Sequence, residues 1–286
     1  MAQIIDGKAL AMVVRAKVAE DVRKIKAQGG VVRFSAILVG EDPASQIYVR
    51  NKQRACEQAG IEFTLHKLPA NCQYEVLTDL IKSLSADKNV NGILLQLPVP
   101  VEVVGNRLNE VLNMIDPHKD VDGLTVTNMG KLVDGGGGLF ACTAQGVLHA
   151  IQNVCPNLTG KNVVVIGRSR IVGHPTALLL TSENATVTIC HRYTKDLAEY
   201  TKKADIVVVA AGCPGLLKPE MIKDGVIVID VGINRLADGR LVGDVDYEKV
   251  ALKAAAITPV PGGIGPLTIA FLLKNVVSAY RLQNSL

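Results

Sequence analysis

The chain has 286 residues, enough for one large or two ordinary domains, and 48% of them are apolar, so a sizeable core is available. A net charge of +4, spread over interleaved acids and bases, excludes a dedicated nucleic-acid surface, and six Tyr, four Phe and no Trp leave few platforms for stacking bases. Neither a signal peptide nor an Arg-rich transit peptide opens the chain, and no stretch approaches about 18 apolar residues, so the expectation is a cytoplasmic protein with no membrane association.

Residues 1–120 alternate helical and strand patterns, as in an α/β unit. A helix is predicted over 8–28, stopping at Gly29-Gly30, and a strand over 33–39 ending at Gly40. Pro43 opens a second helix that closes at Gly60, in keeping with proline near a helix start and glycine just past its end. Tyr48 and Lys52 stand at i and i+4 there and share a face. The lysine stem can simply cover the ring; if Lys52 instead points into a cleft, desolvation brings its proton within reach of neutral pH.

A strand over 61–68, a helix over 74–84 and a strand over 92–95 follow. Gln96 stands at the end of that last strand, before Leu97-Pro98-Val99-Pro100. Ligands sit at the carboxyl ends of strands in open α/β sheets, though a strand-end amide can equally bond its own backbone. In Asp120-Val121-Asp122-Gly123 the register fails for a calcium loop, since His118 and Met129 would fill its first and last ligand positions. A carboxylate in this turn can bond its own backbone or grip an amidine-like heterocycle edge with two hydrogen bonds. Periodicity weakens over 119–143, and the glycine run 135–138 suggests a flexible loop near a domain boundary.

Thr143 is placed as the cap of a helix reaching about residue 154. A second α/β unit starts at Gly160, with strands over 163–166, 185–190, 206–210, 226–230 and 256–258. The first strand breaks at Gly167-Arg168-Ser169-Arg170-Ile171-Val172-Gly173, and a helical pattern follows. Such a turn can be a mere tight connection or a nucleotide site. The next strand ends in His191-Arg192, where an NAD-binding fold carries an acid for the ribose hydroxyl; a cation there suits a 2′-phosphate, hence NADP(H). The stiff loop 258–268, rich in proline and glycine, leads into a helix over 266–282; it is either a rigid connector or a backbone surface that a ligand can approach closely. The cysteines at 56, 72, 142, 155, 190 and 213 have no C-x-x-C spacing and read as reduced thiols, neither disulfides nor metal ligands.

These segments together resemble the bifunctional methylenetetrahydrofolate dehydrogenase/methenyltetrahydrofolate cyclohydrolases over nearly the whole length. The motifs that carry the resemblance are Val39 through Lys52, Gly92-Ile93-Leu94-Leu95-Gln96-Leu97-Pro98, Lys119 through Gly123, Gly167 through Pro175, Asp230-Val231-Gly232-Ile233-Asn234 and the 259–268 loop. The resemblance implies an α/β fold of two domains: residues 1–120, joined by a returning helix at 266–286, and a Rossmann-like NADP-binding domain at 143–265. A linker at 121–142 would connect them, with a cleft between them. It implies two activities: NADP-dependent oxidation of 5,10-methylenetetrahydrofolate, then hydrolysis of the methenyl product to 10-formyltetrahydrofolate.

By the same resemblance Lys52 is the general acid/base, Gln96 sets its protonation, Asp122 binds the aminopyrimidine side of the pterin and Tyr48 stacks on the aminobenzoyl ring. Leu97, Pro98, Pro261, Gly262, Gly263 and Thr268 would line the folate site. Gly167, Arg168, Ser169, Arg192 and Ile233 would hold NADP, no metal is expected, and members form homodimers. The family's usual Pro-Cys-Thr-Pro is here Ala141-Cys142-Thr143-Ala144, which removes about 0.4–1 kcal/mol of backbone preorganisation but no proposed catalytic group. A single-activity dehydrogenase of the family, or one using NAD⁺, and a non-catalytic NADP-binding module are the competing readings; the complete set of proposed catalytic residues weighs against the last.

Overall fold

The computed structural model describes residues 2–285. Its strands, in chain order, are β1 (Gln3–Ile4), β2 (Arg33–Val39), β3 (Glu62–Leu68), β4 (Gly92–Leu95), β5 (Asn162–Ile166), β6 (Thr186–Cys190), β7 (Ile206–Val209), β8 (Ile227–Asp230), β9 (Asn234–Arg235), β10 (Leu241–Val242) and β11 (Ala256–Ile257). The chain packs as two compact α/β units, Met1–Met12 with Thr143–Thr268, and Val13–Cys142 with Ile269–Leu286. The two-domain α/β expectation holds.

In the first unit a six-stranded parallel sheet runs β1-β11-β8-β7-β5-β6. Strand order reverses at β5, whose neighbours β6 and β7 lie on opposite sides, and such a switch point opens a crevice outside the carboxyl ends of the strands. β5, β7 and β8 are continuous apolar, β-branched runs because both faces of a parallel sheet are covered. Val164, Ile166, Val207, Val209, Val228 and Ile257 form one of the unit's cores.

In the second unit the parallel sheet β3-β2-β4 carries a core of Ile37, Val39, Ile93 and Leu95 against Leu77 and Ile81 of the Tyr74–Ala86 helix. Gly92 is required by packing, since a Cβ there would lie 2.6 Å from Val121 Cγ1.

Three local expectations need correction. The helix that Thr143 was expected to cap runs Cys142–Val154, so Thr143 lies inside its first turn, and its hydroxyl bonds Thr268 Oγ1 at 3.2 Å. That helix forms without either family proline, with Ala141 and Ala144 fully buried. The weakly patterned stretch contains a helix, Val126–Asp134, capped by Thr125 Oγ1 on Asn128 N and ended by Gly135 at φ 72°. The final helix spans Ile264–Gln283, so Pro266 sits in its first turn and does not start it.

Candidate functional site

In the second unit the Pro43–Ala59 helix starts where the Asp42 carboxylate accepts from Ser45 N at 2.7 Å and ends at Gly60, whose φ is 78°. Val49, Ala55 and Cys56 fix the helix on the core, which leaves Tyr48 (41% exposed) and the part-buried Lys52 at the edge of that contact. Lys52 Nζ donates to Gln96 Oε1 at 2.7 Å. Gln96 is buried, and its backbone N–H continues the β2–β4 ladder to Ile37 O at 2.8 Å. Its amide nitrogen donates to Leu97 O at 2.7 Å, which turns the amide oxygen toward the lysine. Leu97 is part-buried and Pro98 exposed.

Asp122 is held by its neighbours in sequence. Lys119 Nζ donates to Leu84 O (3.1 Å), Ser85 O (2.7 Å) and Asp87 O (2.7 Å), pinning one end of the segment to the C-terminus of the Tyr74–Ala86 helix. Asp120 accepts from Leu124 N, Thr125 N and Asn128 Nδ2 at 3.1, 2.8 and 3.0 Å. Val121 O accepts from Asn275 Nδ2 at 2.8 Å and Cys142 Sγ at 3.2 Å. Gly123, at φ 70°, lies so near Phe140 that a Cβ would come within 2.3 Å of its carbonyl carbon. A single backbone path is therefore left for Asp122.

The two charges perturb each other. Burial pushes the Lys52 ammonium below its ordinary pKa, and the Asp122 charge opposes this. Burial pushes the Asp122 carboxyl up, and Lys52 opposes that. The Cys142 thiol, within hydrogen-bond reach of Asp122, is driven well up, first by burial and then by the Asp122 charge. The expected Lys52, Gln96, Asp122 and Tyr48 thus belong to one unit, and the first three converge. Cys142, Asn275 and Asp120 support them and were missed; Cys142 lies in a segment that drew notice only for its missing prolines.

In the first unit the turn after β5 is tightly built. Gly167 has φ 125°, and a Cβ there would lie 2.2 Å from Ala210 O; a Cβ on Gly173 would lie 2.2 Å from Gly167 O. Ser169 Oγ accepts from Val172 N (3.2 Å) and Gly173 N (3.4 Å), and Ser169 O from His174 N (3.0 Å), so this residue braces the entry to the Gly173–Ser182 helix, whose N-cap position is Val172. Arg168 and Arg192, from the ends of β5 and β6, both approach the Tyr193 ring, with guanidinium carbons 5.9 and 4.7 Å from its centroid. Arg192 also bonds the Tyr193 hydroxyl. Two exposed guanidiniums gathered at the strand end fit a phosphorylated ribose, as NADP requires. Ile233 follows β8 and is 48% exposed, an apolar surface on the same carboxyl edge of the sheet.

Farther along in that unit Pro261 is exposed, Gly262 has φ 109°, and Gly263 is so close to the chain start that a Cβ on Gly7 would lie 1.7 Å from Gly263 O. Gly7 was not singled out from the sequence. Thr268 Oγ1 lies 3.4 Å from Ile264 O in addition to its Thr143 bond, so its hydroxyl is engaged within the unit. Among the described residues, no group of three or more His, Cys, Asp or Glu side chains could hold a metal ion, and no helix is long and apolar enough to cross a membrane.

Two family models match the chain: the tetrahydrofolate dehydrogenase/cyclohydrolase catalytic domain over residues 5–122 and its NAD(P)-binding domain over residues 141–284. The chain is 49% identical over 280 residues to the bifunctional protein FolD of Moorella thermoacetica, covering 98% of this chain and 99% of that one. It is also similar to the crystal structure of the bifunctional enzyme FolD from Campylobacter jejuni, with a TM-score of 0.95, 45% identity and full coverage of both chains. A third relative is the Trypanosoma brucei dehydrogenase-cyclohydrolase complexed with NADP cofactor and inhibitor, with a TM-score of 0.94, 37% identity, and coverage of 100% of this chain and 99% of that one. With both models matched in order and relatives this similar end to end, the chain belongs to the tetrahydrofolate dehydrogenase/cyclohydrolase family.

Proposed function

We infer that the protein is a bifunctional one-carbon folate enzyme that oxidises 5,10-methylenetetrahydrofolate to the methenyl cation and hydrolyses that cation to 10-formyltetrahydrofolate. The observation that carries this reading is Lys52, hydrogen-bonded to Gln96 and held in its charged form by Asp122 against burial. When bound, NADP⁺ supplies the hydride acceptor. The folate nitrogens stabilise the forming cation, so oxidation asks the protein mainly for positioning. Asp122 serves by gripping the aminopyrimidine edge, Tyr48 by stacking on the aminobenzoyl ring, and Leu97, Pro98, Pro261, Gly262, Gly263 and Thr268 by shaping the folate site.

Hydrolysis moves protons. Water adds to the methenyl carbon and gives a proton to neutral Lys52; the ammonium so formed returns it to the ring nitrogen as the carbon–nitrogen bond breaks, and one proton is released overall. Burial, by lowering the lysine's pKa, makes the neutral form reachable. Gln96 aims the ammonium, and Asp122 keeps it from losing its proton too readily. Gly167, Arg168, Ser169, Arg192 and Ile233 hold the cofactor, with the two arginines at the 2′-phosphate. We place the enzyme in the cytoplasm and as a homodimer, on the family resemblance.

The test is an absorbance assay with 5,10-methylenetetrahydrofolate and NADP⁺. NADPH should form and the methenyl band should then decay faster than in buffer. No cofactor reduction at any practical enzyme level overturns the reading; reduction without accelerated decay leaves only the dehydrogenase.

A further inference from the structure

Two buried carboxylates outside the reacting groups knit together the loops at the carboxyl edge of the six-stranded sheet. Asp244 is fully buried. Its Oδ2 accepts from Ala211 N at 2.7 Å and Gly212 N at 2.8 Å, and its Oδ1 from Cys213 N at 2.9 Å and Asn234 Nδ2 at 2.8 Å. These donors come from the loop after β7 and from Asn234, the first residue of β9, where the loop after β8 ends; none of the four is a cation. Asp230, at the end of β8, fixes the segment bearing Asp244: it accepts from Gly232 N, Asp244 N and Val245 N at 3.0, 2.9 and 3.0 Å.

The fit admits no side chain at the flanking glycines. A Cβ on Gly232 would lie 2.4 Å from Asp244 Cγ, and one on Gly243 would lie 1.9 Å from Asp230 Oδ2. The clamped amides begin directly after Ala210, whose carbonyl presses on Gly167 of the turn after β5. Asn234, the clamped side chain, directly follows Ile233. One carboxylate therefore ties the segment after β7, which meets the turn after β5 at Gly167–Ala210, to the segment after β8 that carries Ile233.

We propose that Asp244 is a positioning residue for the dinucleotide site, setting the separation of the β7 and β8 loops so that the pocket is formed before the cofactor arrives. This rests on the reading of the Gly167 turn as the NADP site. Asp244 itself touches no reacting atom. Three successive amides converging on a carboxylate make a rigid concavity of the kind that elsewhere binds an external anion; here the chain supplies the anion. The loop is ordered in advance, and cofactor binding does not bear the cost of ordering it.

The test compares Asp244→Asn and Asn234→Ala with the parent enzyme. An asparagine presents an NH₂ to donors that need an acceptor; the second variant keeps the three backbone bonds and removes one. NADPH affinity, read by fluorescence titration, is expected to fall about tenfold or more in Asp244→Asn and by less in Asn234→Ala, with KM for NADP⁺ rising in step. Hydrolysis of methenyltetrahydrofolate without cofactor should stay within about twofold of the parent. Amide exchange should quicken at 211–213 while β5 and β7 stay protected.

Unchanged NADPH affinity in both variants overturns the proposal. So does a parallel fall of both activities with exchange quickened throughout the unit in Asp244→Asn, if Asn234→Ala is silent. A parent enzyme that binds no NADPH refutes instead the cofactor reading on which the proposal rests.

Discussion

Lys52 and Gln96 form a directed pair: the ammonium donates to the amide oxygen at 2.7 Å, and the amide nitrogen is occupied by Leu97 O, also at 2.7 Å. The amide cannot turn over without losing both bonds. Gln96 therefore presents an acceptor to Lys52, which fixes the direction of one of the lysine's N–H bonds.

Replacing Lys52 by Met keeps the volume of the stem and removes the amine. Methenyl hydrolysis should fall by about 100-fold or more, the scale of general acid–base catalysis, while NADPH formation continues. Single-turnover assays of each step separate the two. Methenyl decay at the parent rate would remove Lys52 from its role.

Asp122→Asn removes the charge that holds Lys52 protonated against burial. The sign follows: with the opposing charge gone, the lysine's pKa falls further, and the limb of the hydrolysis pH–rate profile that reports Lys52 moves to lower pH. The folate KM should rise as well, because the amide is a poor partner for the aminopyrimidine edge. A limb that stays fixed or moves upward contradicts the coupling.

Arg192→Ala should raise KM for NADP⁺ about 10- to 100-fold, the worth of one charged hydrogen bond, and leave NAD⁺ kinetics nearly unchanged. Arg168 remains near Tyr193, so some preference for NADP⁺ should survive. Equal losses with the two cofactors would place Arg192 somewhere other than the 2′-phosphate.

Asp230 sits in the first unit with its carboxyl pushed up to about 6 from 3.8, chiefly by burial, against the pull of three backbone N–H groups. A carboxyl with a raised pKa binds its proton more tightly when folded. Its stabilising contribution is full below about 3.8 and is lost as pH rises through about 6, an effect of at most about 3 kcal/mol. The Tm difference between the parent and Asp230→Asn should therefore shift in favour of the parent as pH falls from 7 toward 4. A difference independent of pH, or one that grows with rising pH, speaks against it.

Much of this architecture is legible in the chain because its buried strands are continuous and β-branched and its helices are punctuated: β2 and β4 lie at their expected limits, and the Pro43–Ala59 helix lies between its proline and Gly60. The Val126–Asp134 helix escapes notice because Asn128 and Leu132 are its buried residues, too few for a periodic signal. β1 has two exposed residues and gains its identity from β11. Individual site residues stand out as polar groups after strands or in glycine-bounded turns. Their convergence does not: Lys52 and Gln96 are 44 positions apart, and Asn275 reaches Val121 across 154. The Asp244 clamp is likewise hidden, since an aspartate followed by valine in a glycine-flanked loop looks like any turn.

The pairing of β1 with β11 ties Gln3 to Ala256 and Ile4 to Ile257. During synthesis β1 thus waits for a partner about 250 residues downstream, and this edge of the six-stranded sheet closes late. A nascent chain stalled before residue 256 lacks β11 and leaves β8 as the open edge, and one without the Gln3–Ile4 pairing leaves β11 open; either is prone to stick to its neighbours.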